Sequence, residues 1–184
     1  GIIYNLLDTP GHEDFSEDTY RTLTAVDAAI MVVDAAKGIE AQTRKLFEVC
    51  RLRDIPIITF VNKIDREGRH ALEILDEVQE ALALDVSPQT WPVGMGSDFF
   101  GVYDWKAKKF HTSDGERGGA FAQTKEVSGL EDEALTGTVF DRIMEELTEN
   151  VELGAEGYAE FDQESFLEGH LTPVFFGSAL RDYG

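Results

Sequence analysis

The sequence predicts an α/β fold, in which a mostly parallel sheet has helices on both faces and is interrupted by an α+β insert. Three apolar runs, at 2–7, 28–33 and 56–61, have the length of buried strands. A stretch at 71–84 has apolar residues on one face of a helix. Alternating strand and helix patterns are typical of β-α-β units, whose strands run parallel.

The elements are predicted in a fixed order along the chain. The core contains a strand at 2–8, a helix at 13–24, a strand at 28–33, a helix at 40–53, a strand at 56–61 and a helix at 71–84. Short strands with frequent turns follow from Ser87 to about residue 124, then a helix at 138–152 and a last strand at 172–176. We therefore predict a core at 1–84 and 172–184, and an insert at 85–171.

The composition favours a globular protein of the cytoplasm. Apolar residues make up 42% of the 184 residues, and their runs are far shorter than the roughly 20 residues of a membrane helix. The first residues lack the basic segment of a signal peptide. Cys50, the one cysteine, cannot form an internal disulfide and is predicted to be a small core residue.

Negative charge is concentrated in the insert. The net charge of the chain is −20, and residues 126–168 contain fourteen acids and one base. Such a segment repels phosphates and favours water or a basic protein surface. We therefore expect no direct sequence-specific nucleic-acid binding by this segment, and no membrane partner.

Residues 8–12 (Asp-Thr-Pro-Gly-His) follow the first apolar run. An acid at the end of a strand can hold Mg²⁺, directly or through a water, beside a triphosphate. Gly11 lacks a Cβ, so its backbone can approach a phosphate closely.

Residues 62–65 (Asn-Lys-Ile-Asp) follow the third apolar run. The carboxylate of Asp65 can accept two hydrogen bonds from the N1–H and N2–H₂ groups of guanine, which adenine does not offer. Either motif alone is weak, but both in this order predict a GTP-binding fold.

These two motifs, with Gly177-Ser178-Ala179-Leu180, resemble three signature motifs of translational GTPases. The stretch beginning Trp91-Pro92-Val93-Gly94 resembles the insert of elongation factor G and its relatives. Residues 13–23 and 48–53 are most similar to bacterial peptide chain release factor 3. The resemblance covers essentially the whole chain and is looser between 112 and 170.

The resemblance implies a role for each motif. Asp8 would contact Mg²⁺ through water, Gly11 would donate its N–H to the γ-phosphate, and His12 would orient the attacking water as the catalytic residue. Asp65 would bind guanine, Asn62 would brace the loop, and the stem of Lys63 would lie over the base. Ala179 N–H would face guanine O6. The full nucleotide-binding set is Asp8, Thr9, Pro10, Gly11, His12, Asn62, Lys63, Asp65, Ser178, Ala179 and Leu180, with GTP or GDP and Mg²⁺ as cofactors.

The sequence contains no Gly-x-x-x-x-Gly-Lys-Ser/Thr phosphate loop. By resemblance, that loop and its strand lie upstream, and the strand sits between 2–8 and 28–33 in the sheet. We therefore expect a fragment that lacks its N-terminal strand and has little or no GTPase activity alone. We also expect residues 1–25 to be displaced from the sheet or disordered.

The resemblance implies a ribosome-dependent GTPase that recycles a class I release factor after termination. The ribosome and that release factor would be its partners, and the stalk protein of the ribosome could bind the acidic insert. An elongation factor G-like or ribosome-protection GTPase is the alternative within this class. A non-catalytic acidic interaction module is the alternative from another class. His70, His111 and His170 lack ligand spacing and are predicted to have surface roles.

Overall fold

The computed structural model describes residues 1–9, 17–112, 125–127 and 141–181. Two sheets, five α-helices and short 3₁₀ turns make up the regular structure of these residues. The helices are α1 (Glu17–Leu23), α2 (Ala41–Arg51), α3 (Ala71–Leu82), α4 (Asp141–Gly157) and α5 (Gln163–Leu167). The strands are β1 (Ala29–Asp34), β2 (Ile57–Asn62), β3 (Asp85–Pro88), β4 (Thr90–Val93), β5 (Gly101–Asp104), β6 (Lys109–Thr112), β7 (Lys125–Val127) and β8 (Leu171–Phe176).

The core sheet has the strand order β1-β2-β8-β3, and every pair in it is parallel. Its strands are nearly continuous apolar runs, which is typical of parallel strands buried by helices. Val33, Val61, Val174 and Phe176 are at most 1% exposed. The predicted α/β class with a parallel sheet is confirmed.

Helices α2 and α3 contact each other, and they pack on β1 and β3 respectively. The buried stripe of α3 includes Ile74, Leu75 and Val78, as its periodicity predicted. His70 precedes α3, and its Nδ1 accepts a hydrogen bond from Leu72 N–H at 3.3 Å. This N-cap satisfies one of the backbone donors that a helix start leaves unpaired.

The second sheet is antiparallel, with the order β4-β5-β6-β7. It adjoins the core sheet through an aromatic cluster: the ring of Trp91 lies 5.5 Å from that of Trp105 and 6.0 Å from that of Phe176. Phe176 N–H also donates to Thr90 Oγ1 at 2.9 Å. The insert sheet therefore packs on the last core strand.

Helix α4 of the insert packs on β4 of the insert sheet and is linked to helix α3 of the core. Tyr158, just after the helix, donates its hydroxyl to Asp76 of α3 at 2.8 Å. Gly154 lies against the ring of Trp105 so closely that a Cβ there would be 2.6 Å from it. The predicted surface residue His70 also lies 3.4 Å from Glu146 of α4, so it has a structural role between core and insert.

The predicted strand at 2–8 is wrong. Residues 1–9 form no strand, and Ile2, Ile3 and Leu6 are 80–87% exposed. An apolar run becomes a strand only where a neighbouring strand satisfies its backbone groups, and no described strand pairs with this run. Displacement of residues 1–9 from the sheet is confirmed.

Three further boundaries differ from the prediction. Residues 17–23 form α1 with Thr19 and Leu23 buried, so this part of 1–25 is packed; residues 13–16 of the predicted helix lie outside the described residues. Asp85–Pro88 belongs to the core sheet as β3, although the sequence pattern assigned it to the insert. Helix α4 (Asp141–Gly157) extends past the predicted end at 152, and residues 138–140 of the predicted helix lie outside the described residues.

Candidate guanine-binding site

The site begins where the parallel strands end. β1 ends at Asp34 and β2 at Asn62, and these two residues are paired in register. β8 ends at Phe176, paired with Val61, and is followed by Gly177. Carboxyl ends of neighbouring parallel strands form the crevice in which open α/β sheets bind ligands. Three of the loops at this edge are thus adjacent.

The side chain of Asn62 ties the two predicted base loops together. Its Oδ1 accepts hydrogen bonds from Lys63 N–H at 2.8 Å and from Ala179 N–H at 2.9 Å. Main-chain bonds continue the connection, from Gly177 N–H to Val61 C=O at 2.9 Å and from Ile64 N–H to Gly177 C=O at 3.3 Å. The side chain of Asn62 therefore joins the two predicted base loops in this structure, and its role toward a nucleotide stays a prediction.

Ser178 and Asp65 form the second connection between these loops. The fully buried hydroxyl of Ser178 donates to Asp65 Oδ1 at 2.5 Å. This charge-assisted hydrogen bond fixes the orientation of the carboxylate. A carboxylate has two oxygens and about four acceptor positions, so Asp65 can accept more hydrogen bonds than the one from Ser178.

Lys63 lies between Asn62 and Asp65 in an unusual backbone conformation. Its φ of 69° is in the left-handed region, which costs a non-glycine residue about 1–2 kcal/mol. Its Nζ forms an ion pair with Asp34 Oδ2 at 2.7 Å. The Lys63 side chain therefore extends from β2 back to the end of β1.

Asp34 is the residue at this edge whose role the sequence pattern did not predict. Its Oδ1 accepts hydrogen bonds from Ala36 N–H at 2.9 Å and Lys37 N–H at 3.3 Å. Burial raises the pKa of Asp34, but hydrogen bonds from the Lys63 ammonium and Ala36 N–H lower it more, so the pKa lies below its ordinary value of 3.8. The sequence did contain a signal for this role, because Asp34 is an acid at the end of a predicted strand, as Asn62 is at the end of the next one.

The arrangement offers a fixed acceptor, an ordered lysine stem and a braced loop at one edge of the sheet. A carboxylate acceptor can discriminate by hydrogen bonding between guanine, which offers N1–H and N2–H₂ donors, and adenine, which does not; this role of Asp65 stays a prediction. In this structure Ala179 N–H donates to Asn62. A contact between that N–H and guanine O6, as the resemblance implies, would have to share or replace this hydrogen bond.

The first motif is only partly described. Asp8 is exposed and Thr9 half-buried, in the segment without a strand; Pro10, Gly11 and His12 lie outside the described residues. Among the described residues no group of three or more His, Cys, Asp or Glu side chains could hold a metal ion. Mg²⁺ is usually held by one or two carboxylates together with substrate phosphates, so the role of Asp8 stays a prediction. Leu180 is 75% exposed, in a short 3₁₀ turn at Ala179–Arg181.

Comparison with known proteins identifies the family. A family model described as the Elongation factor Tu GTP binding domain matches residues 1–184. The chain belongs to this family. Its members are described as GTP-binding domains of a translation factor, which agrees with the base loops at the edge of the sheet.

A solved structure from Thermus thermophilus is similar, with a TM-score of 0.66 over 95% of this chain. The match covers 27% of the length of that chain, and the sequences are 23% identical. At this identity the similarity shows the fold alone. Neither comparison separates the release factor 3 kind from the elongation factor G kind.

Two further findings concern the described residues outside the base loops. None of the described helices is long and apolar enough to cross a membrane. A shallow depression is lined by Gln79, Ala83, Leu84, Asp85 and His170. It lies where β3 and β8 begin, at the opposite edge of the sheet from the base loops, so it is not the proposed site.

Proposed function

We propose that this chain is the guanine-binding part of a longer translational GTPase that hydrolyses GTP on the ribosome. The proposal depends on one observation above all. Asp65, oriented by Ser178, lies at the same edge as Asn62, which joins its loop to that of Ala179. Family membership supports the nucleotide class, and the geometry supports the choice of base.

Guanine selection would be the task of Asp65. Its carboxylate would accept hydrogen bonds from N1–H and N2–H₂ of the base, while the aliphatic stem of Lys63 covers one face of the ring. Adenine presents no matching donors, so the carboxylate of Asp65 would be desolvated against it without a hydrogen bond from the base. Asn62 and Ser178 would act indirectly, by holding the two loops in register.

Hydrolysis would depend on the first motif and on a phosphate loop that this sequence does not contain. By resemblance, Gly11 would donate to the γ-phosphate, His12 would orient water, and Asp8 would be the residue facing Mg²⁺. Phosphate binding in such folds requires the backbone N–H groups of a glycine-rich loop. We therefore propose activity for the complete protein and little or none for the 184 residues alone.

The base assignment is tested in the complete protein by Asp65→Asn. The acceptor becomes a donor, so preference should move from GTP toward xanthosine triphosphate, which carries a carbonyl at the 2-position. The matched control is Asp27→Asn, which removes an exposed carboxylate just before the opposite end of β1. Unchanged guanine preference in Asp65→Asn would show that another residue selects the base.

Within this class we propose release factor recycling, on the resemblance of residues 13–23 and 48–53. The partners would be the ribosome and a class I release factor. The elongation factor G-like alternative is favoured by the resemblance of the insert. Purified complete protein should accelerate dissociation of a class I release factor from terminated ribosomes; acceleration of translocation instead would favour the alternative.

The acidic helix α4 is proposed as a contact for the ribosomal stalk protein. Glu145 and Glu149 are exposed one turn apart on this helix, where like charges repel each other. Replacing both with Lys should slow ribosome-stimulated hydrolysis at low salt, and less at high salt. A loss that does not depend on salt would contradict a charge-based contact. If the complete protein hydrolysed no GTP on ribosomes yet bound a basic partner, the non-catalytic acidic module would be favoured.

A further inference from the structure

Asp34 connects a backbone turn to the lysine of the base loop. One carboxylate oxygen, Oδ1, accepts from Ala36 N–H at 2.9 Å and Lys37 N–H at 3.3 Å. The other, Oδ2, accepts from Lys63 Nζ at 2.7 Å. The Asp34 side chain is 16% exposed and that of Lys63 is 45% exposed. The aspartate is therefore held by the turn, and the lysine is held by the aspartate.

We infer that Asp34 is a positioning residue for the nucleotide, which holds the Lys63 ammonium so that the lysine stem is already in place for the base. This inference deepens the proposed function and rests on it. Asp34 itself need not touch the ligand. Its contribution would be to the order of the Lys63 side chain before binding.

The energetic reason is conformational entropy. A free lysine side chain has many rotamers, and ordering it when a ligand binds opposes binding. With its Nζ paired to Asp34, most of that ordering has occurred before a ligand binds. An ion pair as exposed as this one contributes little to folding, so its main consequence is expected in nucleotide affinity.

The turn explains why an aspartate fits this position. Strand β1 ends at Asp34, and Gly38 N–H donates to the Asp34 carbonyl at 2.8 Å. The side chain is short enough to cap the following N–H groups with Oδ1 while Oδ2 accepts from Lys63 Nζ. A glutamate would place its carboxylate one methylene farther out and would not satisfy both contacts with the same geometry.

The test is a double-mutant cycle in the complete protein, read as the dissociation rate of GDP. Asp34→Asn keeps an oxygen for the turn and removes the charge that holds Lys63. Lys63→Met keeps the stem and removes the ammonium. We expect Asp34→Asn alone to speed GDP release about threefold to fivefold, the size of an exposed ion pair. In the Lys63→Met background, Asp34→Asn should add nothing.

A matched control is Glu40→Gln. Glu40 carries the same charge near the same turn and pairs with Lys37 at 3.3 Å, so the substitution changes net charge without touching Lys63. GDP release by this variant should equal that of the wild type. Should Asp34→Asn fail to fold, Asp34→Ser replaces it, because a serine hydroxyl can also accept from the turn.

The outcomes separate this inference from the proposed function. A wild-type protein that binds no guanine nucleotide, or binds adenine equally well, overturns both. Selective GDP binding by the wild type with unchanged release in Asp34→Asn overturns the inference alone. If Asp34→Asn accelerated GDP release by the same factor in the wild type and in Lys63→Met, Asp34 would have a structural role only, and the inference would also be overturned.

Discussion

Asn62→Ala tests whether one side chain holds the two base loops together. The substitution removes the acceptor of two N–H groups, those of Lys63 and Ala179. Each hydrogen bond of this kind contributes about 0.5–1.5 kcal/mol. Asn62 is half-buried, and water can replace part of the loss, so we expect about 1–2 kcal/mol in total. That corresponds to GDP affinity weaker by about fivefold to thirtyfold.

The local assay is amide hydrogen exchange in the complete protein. Ala179 N–H lies in the other loop, so its exchange should become faster in Asn62→Ala by about twofold to tenfold, from the loss of one hydrogen bond. The control is Asn62→Asp, which keeps an acceptor oxygen and should retain most of the protection. The bracing role would be refuted if Ala179 N–H exchanged equally fast in the wild type and in Asn62→Ala. It would also be refuted if the Ala and Asp variants lost the same amount of protection at Ala179 N–H.

Three further predictions concern packing, burial and charge. Gly154→Ala should destabilise the protein by about 1–3 kcal/mol through overpacking against Trp105, whereas Gly157→Ala, with no atom within 4 Å of its Cβ, should not; thermal denaturation of both variants decides this. The Cys50 thiol, 3% exposed and with its pKa raised by burial, should react with a thiol reagent only on unfolding, and rapid labelling of native protein would contradict its burial. Because folding lowers the pKa of Asp34 from its ordinary value of 3.8, its carboxylate stabilises the fold at pH values above 3.8. The difference in unfolding free energy between wild type and Asp34→Asn should therefore be constant near neutral pH and shrink as the pH falls below 3.8.

The central core elements could be predicted from sequence because their patterns are local. The apolar run at 56–61 forms β2 at Ile57–Asn62, and the stripe at 71–84 forms α3. Apolar residues of both elements are buried in the core, so the local pattern of the sequence predicts where these elements lie. The loop residues after β2 could be proposed for the same reason, since polar residues that end a buried parallel strand lie at the ligand-binding edge.

The remaining differences arise from long-range pairing. The run at 2–7 has the composition of a strand, but its apolar residues do not determine which strand it pairs with. Asp85–Pro88 is short and contains a proline, so only its pairing with β8 identifies it as part of the core sheet. Asp34 was visible as the end of a strand, but its partner Lys63 is 29 residues away. Register, rather than composition, brings these groups together.

The insert cannot be shortened at its first turn without consequences for the base loop. Gly96, between β4 and β5, donates its N–H to the carbonyl of Ile64 at 3.0 Å, and Ile64 is fully buried between Lys63 and Asp65. An engineered protein that joined β3 directly to α4 would leave that carbonyl without its donor and, by removing Trp91, would uncover Phe176. The first hairpin of the insert is thus a necessary part of the smallest unit that could recognise a base.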